Sequence, residues 1–122
     1  LASQSSKAII SEAIHIGEAQ ILVKEMADID NKGLRQLVDQ LRTTMQKAVI
    51  VLYKKEENKI NVIAAVDKVF HEHQLSAKDL VQIICGKGGG RDELAQGGGS
   101  IPDDFNDRLS QLHNILKEKI GG

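Results

Sequence analysis

The chain has 122 residues and a mass of 13.3 kDa, the size of a single domain. An apolar fraction of 41%, a charged fraction of 27% and a net charge of −1 exclude a disordered tail, a collagen-like chain and a disulfide scaffold. The same balance excludes a strongly basic nucleic-acid binder but permits a local basic face. Aromatic residues make up only 2%, which disfavours recognition through rows of stacked bases. No apolar run approaches the ~18 residues of a membrane span. The start, Leu1 to Ser6, is polar, lacks a signal-peptide pattern and has no initiating Met. The chain is therefore expected to be a piece of a longer protein. A single cysteine, Cys85, cannot close an intrachain disulfide and fits a reducing cytoplasm.

Residues 1–12 are expected to be a connector from the missing upstream part, with the folded domain at 13–122. Ala13 to Met26 carries Ile14, Ile16, Ile21 and Val23 in loose alternation. It reads as one long strand, or two strands broken at Gly17-Glu18. Leu34, Leu37, Val38, Leu41 and Met45 form one stripe at a 3.6-residue period and predict a helix capped by Asp30 or Asn31. Arg35 and Arg42, two turns apart, share a flank of that helix near solvent. Ala48–Tyr53 and Ile60–Val66 are apolar, β-branched runs joined through Glu56-Glu57-Asn58, a hairpin buried on both faces.

Asp67 to Gln74 is ambiguous between a short helix and irregular chain. Ser76-Ala77-Lys78-Asp79 resembles a capping box for a helix that must stop at Gly86. Pro102-Asp103-Asp104 opens a last helix, with Phe105, Leu109, Leu112, Leu116 and Ile120 as its stripe and Gly121 as its cap. The expected fold is α/β: one domain, a mixed sheet of about four to five strands, packed with helices.

Seven of the 11 glycines fall between Gly86 and Gly99. The run Gly86-Lys87-Gly88-Gly89-Gly90-Arg91 lets a backbone approach a phosphate or another chain closely. Arg91 can grip a phosphate with two N–H groups, while Lys87 acts as a point charge. The alternative is a flexible loop with two solvated charges. Two nucleotide motifs fail here: Lys87 is followed by Gly88 where a phosphate loop needs Ser or Thr, and Arg91 stands where a dinucleotide fingerprint needs its last Gly. His71 and His73 are too close in sequence for one helix face and lack further ligands for zinc, so no metal is expected. His15 and His113 are isolated. Cys85 is expected to be buried and inert. Asp103, Asp104 and Asp107 are explained by the positive end of the last helix. No nucleophile, base and orienting group share a spacing that supports catalysis, and no cofactor is expected.

Gly86-Lys87-Gly88-Gly89-Gly90-Arg91, followed by Leu94-Ala95-Gln96-Gly97-Gly98-Gly99, resembles the C-terminal domain of alanyl-tRNA synthetases, within the DHH-associated domain family. In that family the motif reads roughly Gly-Gly-Lys-Gly-Gly-Gly-Arg-Pro-Asp-Met-Ala-Gln. Here Cys85 replaces a Gly, Asp92-Glu93 stands for Pro-Asp, and Leu94 stands for Met. The likeness covers roughly Gly17 to Ile120. It takes in a Leu-Arg-x-x-x-Asp-x-Leu helix at Leu34 to Leu41 and a strand at Lys59 to Val66. Phosphoesterases of the same family usually carry His after the glycines and then Ala-Ala-Gly. Arg91 and Ala95-Gln96-Gly97 favour the synthetase branch.

The resemblance implies a tRNA-binding module that packs on the outer corner of tRNA and helps the aminoacylation and editing centres of an alanine–tRNA ligase share one tRNA. It implies upstream synthetase and editing domains as partners, a possible homodimer, no membrane, and no catalytic residues in this fragment. By motif match Gly88, Gly89, Gly90, Arg91 and Gln96 are RNA-binding candidates. Lys87, Arg35 and Arg42 join them on charge and position. The alternatives are the substrate-binding lobe of a DHH-type phosphoesterase and a dimerisation module.

Overall fold

A computed structural model describes residues 9–26, 29–73, 75–86 and 88–120, with only the backbone of His73. The candidate Lys87 and the predicted cap Gly121 lie outside the described residues. In chain order the elements are β1 (Ile14–Ile16), β2 (Ala19–Glu25), α1 (Asn31–Thr44), β3 (Ala48–Glu56) and β4 (Lys59–Val66). A 3-10 turn (Lys68–His73) follows, then α2 (Ala77–Cys85), β5 (Gly89–Gly90), β6 (Leu94–Ser100) and α3 (Phe105–Ile120).

The six strands form one sheet in the order β1-β2-β3-β4-β6-β5. Only β2 and β3 run parallel, with α1 as their crossover; the other neighbours are antiparallel. The mixed α/β class is as expected, but the sheet has more strands than the four to five predicted. The Ala13–Met26 segment is two strands turning at Gly17 (φ +57), and the glycine-rich stretch supplies two more. That stretch is not a loop. β6 pairs with β4 along its length, from Lys59↔Ser100 to Ala65↔Leu94. Its strand state comes from the backbone groups of β4's open edge, which need partners, and not from side-chain alternation.

The period-2 alternation of β3 sends its side chains to two cores. Leu22, Ile50, Leu52, Ile63 and Ala65 meet Leu34, Leu37, Val38 and Leu41 of α1 on one face. Val49, Val51, Ile60, Val62 and Ala64 meet Leu80, Val81 and Ile84 of α2 and Leu112 and Leu116 of α3 on the other. Each fully buried Leu or Ile contributes on the order of 1.5–3 kcal/mol. Ile9, which the sequence places in the connector, is 1% exposed within the α1-side core.

Local signals set the helix ends. The Asp30 carboxylate accepts from Gly33 N–H at 2.7 Å and caps α1. Ser76 Oγ accepts from Asp79 N–H at 3.3 Å and caps α2, which ends at Gly86 in the left-handed region (φ +76). Asp67, just after β4, accepts from Lys47 N–H at 3.1 Å and Val69 N–H at 3.1 Å. It ties the α1–β3 turn to the 3-10 turn.

Candidate nucleic-acid interface

α1 lies over β3 and β4, beside the short hairpin of β5 and β6. Leu94, Gln96 and Gly98 of β6 point to the α1 side because they pair with Ala65, Ile63 and Asn61 of β4. A groove therefore runs between the outer flank of α1 and the glycine hairpin. Its central pocket has a volume of about 390 Å³ and is lined by Arg35, Arg42, Gly89, Gly90, Arg91 and Gln96, with Glu93, Leu94 and Ala95. Six of the eight residues predicted from sequence line this one space. The seven-residue spacing puts Arg35 and Arg42 on the flank of α1 that faces the hairpin, so all three arginines share a side.

The hairpin is held by backbone bonds. Arg91 N–H donates to Leu94 O at 2.8 Å, Ala77 N–H to Asp92 O at 2.7 Å, and Val66 N–H to Glu93 O at 3.0 Å. Asp92-Glu93 therefore sits in a turn anchored to both α2 and β4, although Pro is missing after Arg91. The glycines divide by role. A Cβ on Gly88 would meet Val81 Cγ1 at 2.5 Å, and one on Gly90 would meet Ala95 Cα at 2.6 Å. Both have positive φ, +139 and +149. Gly89 has nothing within 4 Å of its Cβ position. Gly88 and Gly90 serve packing and backbone conformation, while Gly89 leaves the pocket mouth open.

The charges are unequal in their freedom. Arg35 Nε lies 3.5 Å from Asp39 Oδ1. Arg42 lies 3.9 Å from Asp39 Oδ1 through Nη1 and 3.8 Å from Glu93 Oε2 through Nη2. These exposed contacts are long and contribute on the order of 0–1 kcal/mol, so a stronger anion can displace them. Arg91 is exposed and forms no ion pair among the described residues. Glu93 was not singled out from sequence, and nothing in the spacing joins it to Arg42.

A second pocket of about 240 Å³ continues the groove and shares Gln96 with the first. Asn31, Leu34, Asn61 and Gly98 also line it. The sequence reading missed it, taking Ile60–Val66 as one apolar run; the signal that could have found it is Asn61, a polar residue inside that run.

The other residues weighed in the sequence lie elsewhere. Cys85, at the end of α2, is half-buried rather than buried. Burial pushes its thiol above the ordinary range, and the Arg108 charge opposes this more weakly. Asp104, before α3, accepts from Arg108 Nε at 2.8 Å, and that bond holds its carboxyl below the usual range. Arg108 Nη1 also donates to Ile83 O at 3.3 Å and joins α3 to α2. His15 and His71 are exposed and His113 is half-buried. Among the described residues no three His, Cys, Asp or Glu side chains group to hold a metal ion, and no helix is long and apolar enough to cross a membrane.

A family model described as the DHHA1 domain matches residues 18–118. An alanine–tRNA ligase of Legionella pneumophila (strain Paris) is 40% identical over 119 residues. That match takes in 98% of this chain and 14% of the ligase, so the chain spans about one-seventh of the relative's length. The crystal structure of the C-Ala domain from Aquifex aeolicus alanyl-tRNA synthetase superposes with a TM-score of 0.71 at 30% identity, covering 91% of this chain and 99% of that one. An exopolyphosphatase-related protein from Bacteroides fragilis shares the fold at a TM-score of 0.60 and 9% identity, over 96% of this chain and 35% of its own.

Proposed function

The chain belongs to the DHHA1 domain family, with the C-terminal domains of alanyl-tRNA synthetases, and on that premise we propose that it is the tRNA-docking module of an alanine–tRNA ligase. It binds the outer corner of tRNA and keeps one tRNA available to the aminoacylation and editing centres of the parent chain. The observation that carries this reading is the convergence of Arg35, Arg42 and Arg91, from two separate elements, on one groove floored by glycine backbone.

The chemistry follows from the groove. RNA duplex is recognised mainly by shape, phosphates and 2′-hydroxyls, and this requires fixed cations rather than aromatic platforms. Arg91 supplies a guanidinium fork with no ion pair among the described residues. Arg35 and Arg42 exchange their carboxylate contacts for phosphate oxygens, with release of counterions. The anchored hairpin fixes the position of Arg91 before RNA arrives, which limits the ordering cost of binding.

The test is a titration of the chain with alanine tRNA and with a different tRNA at two salt concentrations. The expected result is binding that weakens with salt and barely distinguishes the two. Arg91→Ala is expected to weaken binding by about 1–3 kcal/mol and to lower the salt slope by roughly one charge. Unchanged affinity and slope in a folded Arg91→Ala variant remove Arg91 from the interface. No binding of either tRNA by the folded chain defeats the docking role for this chain on its own.

A further inference from the structure

We propose that the second pocket of the groove is a slot for a single unstacked nucleobase, belonging to the nucleotide whose phosphate lies against the arginines. This rests on the RNA-binding reading above and assigns the part of the groove that the arginines do not explain.

The lining argues for a base rather than a phosphate. Among the described residues the pocket has no charged side chain; its polar side chains are the carboxamides of Asn31, Asn61 and Gln96. Each offers a donor pair and an acceptor, the complement of a base edge, whereas a phosphate offers only acceptors. Leu34 and Ile63 supply apolar wall. At about 240 Å³ the space is below the roughly 300–1,000 Å³ of drug-sized sites and suits one ring system.

Asn61 is otherwise hard to account for. Asn is depleted in strands, and this one is half-buried mid-strand with its carboxamide making no hydrogen bond among the described residues. Gly98 sits directly opposite, and a Cβ there would stand 2.8 Å from Asn61 Oδ1. Glycine inside a strand weakens it and commonly marks close approach by a ligand. Here it makes room for the Asn61 carboxamide, which lies close over the Gly98 backbone and lines the slot with it. Gln96 belongs to both pockets, so a base in the slot is contiguous with a phosphate at Arg91.

The experiment compares four nucleoside 5′-monophosphates with ribose 5-phosphate, each titrated into the isotopically labelled chain and followed by amide NMR. The nucleotides are expected to shift the Asn61 side-chain amide and the Gly97 and Gly98 backbone, while ribose 5-phosphate shifts only signals around Arg91. Identical shifts from nucleotides and ribose 5-phosphate, or no nucleotide response at Asn61 and Gly98, overturn the slot.

A second arm uses whole tRNA with Asn61→Ala. Its affinity is expected to fall roughly three- to tenfold, the worth of one hydrogen-bonded pair, with an unchanged salt slope. Unchanged affinity also counts against the slot. A wild-type chain that binds no tRNA defeats the docking function instead, and the nucleotide arm then decides the slot by itself.

Discussion

Gly89 and Gly90 are neighbours in one two-residue strand, and the structure assigns them opposite tolerances. In Gly90→Ala the new Cβ falls 2.6 Å from Ala95 Cα and 2.7 Å from Leu94 O. Both Cα and O are backbone atoms of the paired strand, so no side chain can swing aside. The residue also keeps a φ of +149, which L side chains rarely adopt. Backbone strain of roughly 1–3 kcal/mol adds to overpacking of roughly 1–3 kcal/mol, giving a cost of about 2–6 kcal/mol. With an unfolding entropy of ~2.1 cal/mol/K per residue, this corresponds to a fall in Tm of about 8–23 °C.

Gly89→Ala meets nothing within 4 Å and carries no positive φ. Restricting the unfolded chain at a compatible site stabilises by about 0.4–1 kcal/mol, a rise of about 2–4 °C. The assay is thermal unfolding by circular dichroism, with native spectra confirming that both variants fold at low temperature. Equal Tm changes at the two positions refute the reasoning, as does a larger loss at Gly89. Either result would mean that the hairpin does not hold the register Gly90↔Ala95.

Three further predictions concern charge and core. Glu93→Gln removes one carboxylate from Arg42 and is expected to tighten tRNA binding by up to about fivefold and steepen its salt dependence; weaker binding would show that Glu93 positions Arg42 for RNA. Asp104 has its carboxyl held below the ordinary value of 3.8 by Arg108, so the pair contributes stability above that value and loses it as pH falls through the lowered one. Below about pH 4 the Tm of the wild type should therefore fall more steeply than that of Asp104→Asn, and parallel curves would remove the pair from acid stability. Leu112→Ala, at a fully buried α3 position, should cost about 2–5 kcal/mol as a shift in urea midpoint with unchanged slope, while the exposed Gln111→Ala stays within about 0.5 kcal/mol.

The legible parts of the fold are those written in local chemistry. The α1 stripe, the caps at Asp30 and Ser76, the stop at Gly86 and the β3–β4 hairpin each rest on a few adjacent side chains, and each stands where the sequence placed it. The glycine strands were not legible, because Leu94-Ala95-Gln96-Gly97-Gly98-Gly99-Ser100 has neither alternation nor β-branched residues. Its conformation is imposed by a strand some 30 residues earlier, an effect of topology rather than propensity. The groove divides the same way. The shared flank of Arg35 and Arg42 follows from helical spacing. Their meeting with Arg91 requires β6 to lie beside β4 and α1 to lie over β3 and β4.

On the proposed function the groove also reconciles a net charge of −1 with a polyanionic ligand. Asp39 and Glu93 beside Arg35 and Arg42 hold the cationic side chains in place and lower their attraction for any passing anion. Only a ligand that also satisfies Arg91 and fits the glycine floor repays the loss of those contacts, so the carboxylates favour shape over bulk charge. On the proposed function the expected affinity is modest, and modest affinity is sufficient. A module joined to a chain that already holds the same RNA elsewhere meets it at an effective concentration on the order of millimolar. Strong binding by the module alone would add little to that encounter and would slow release of the charged tRNA.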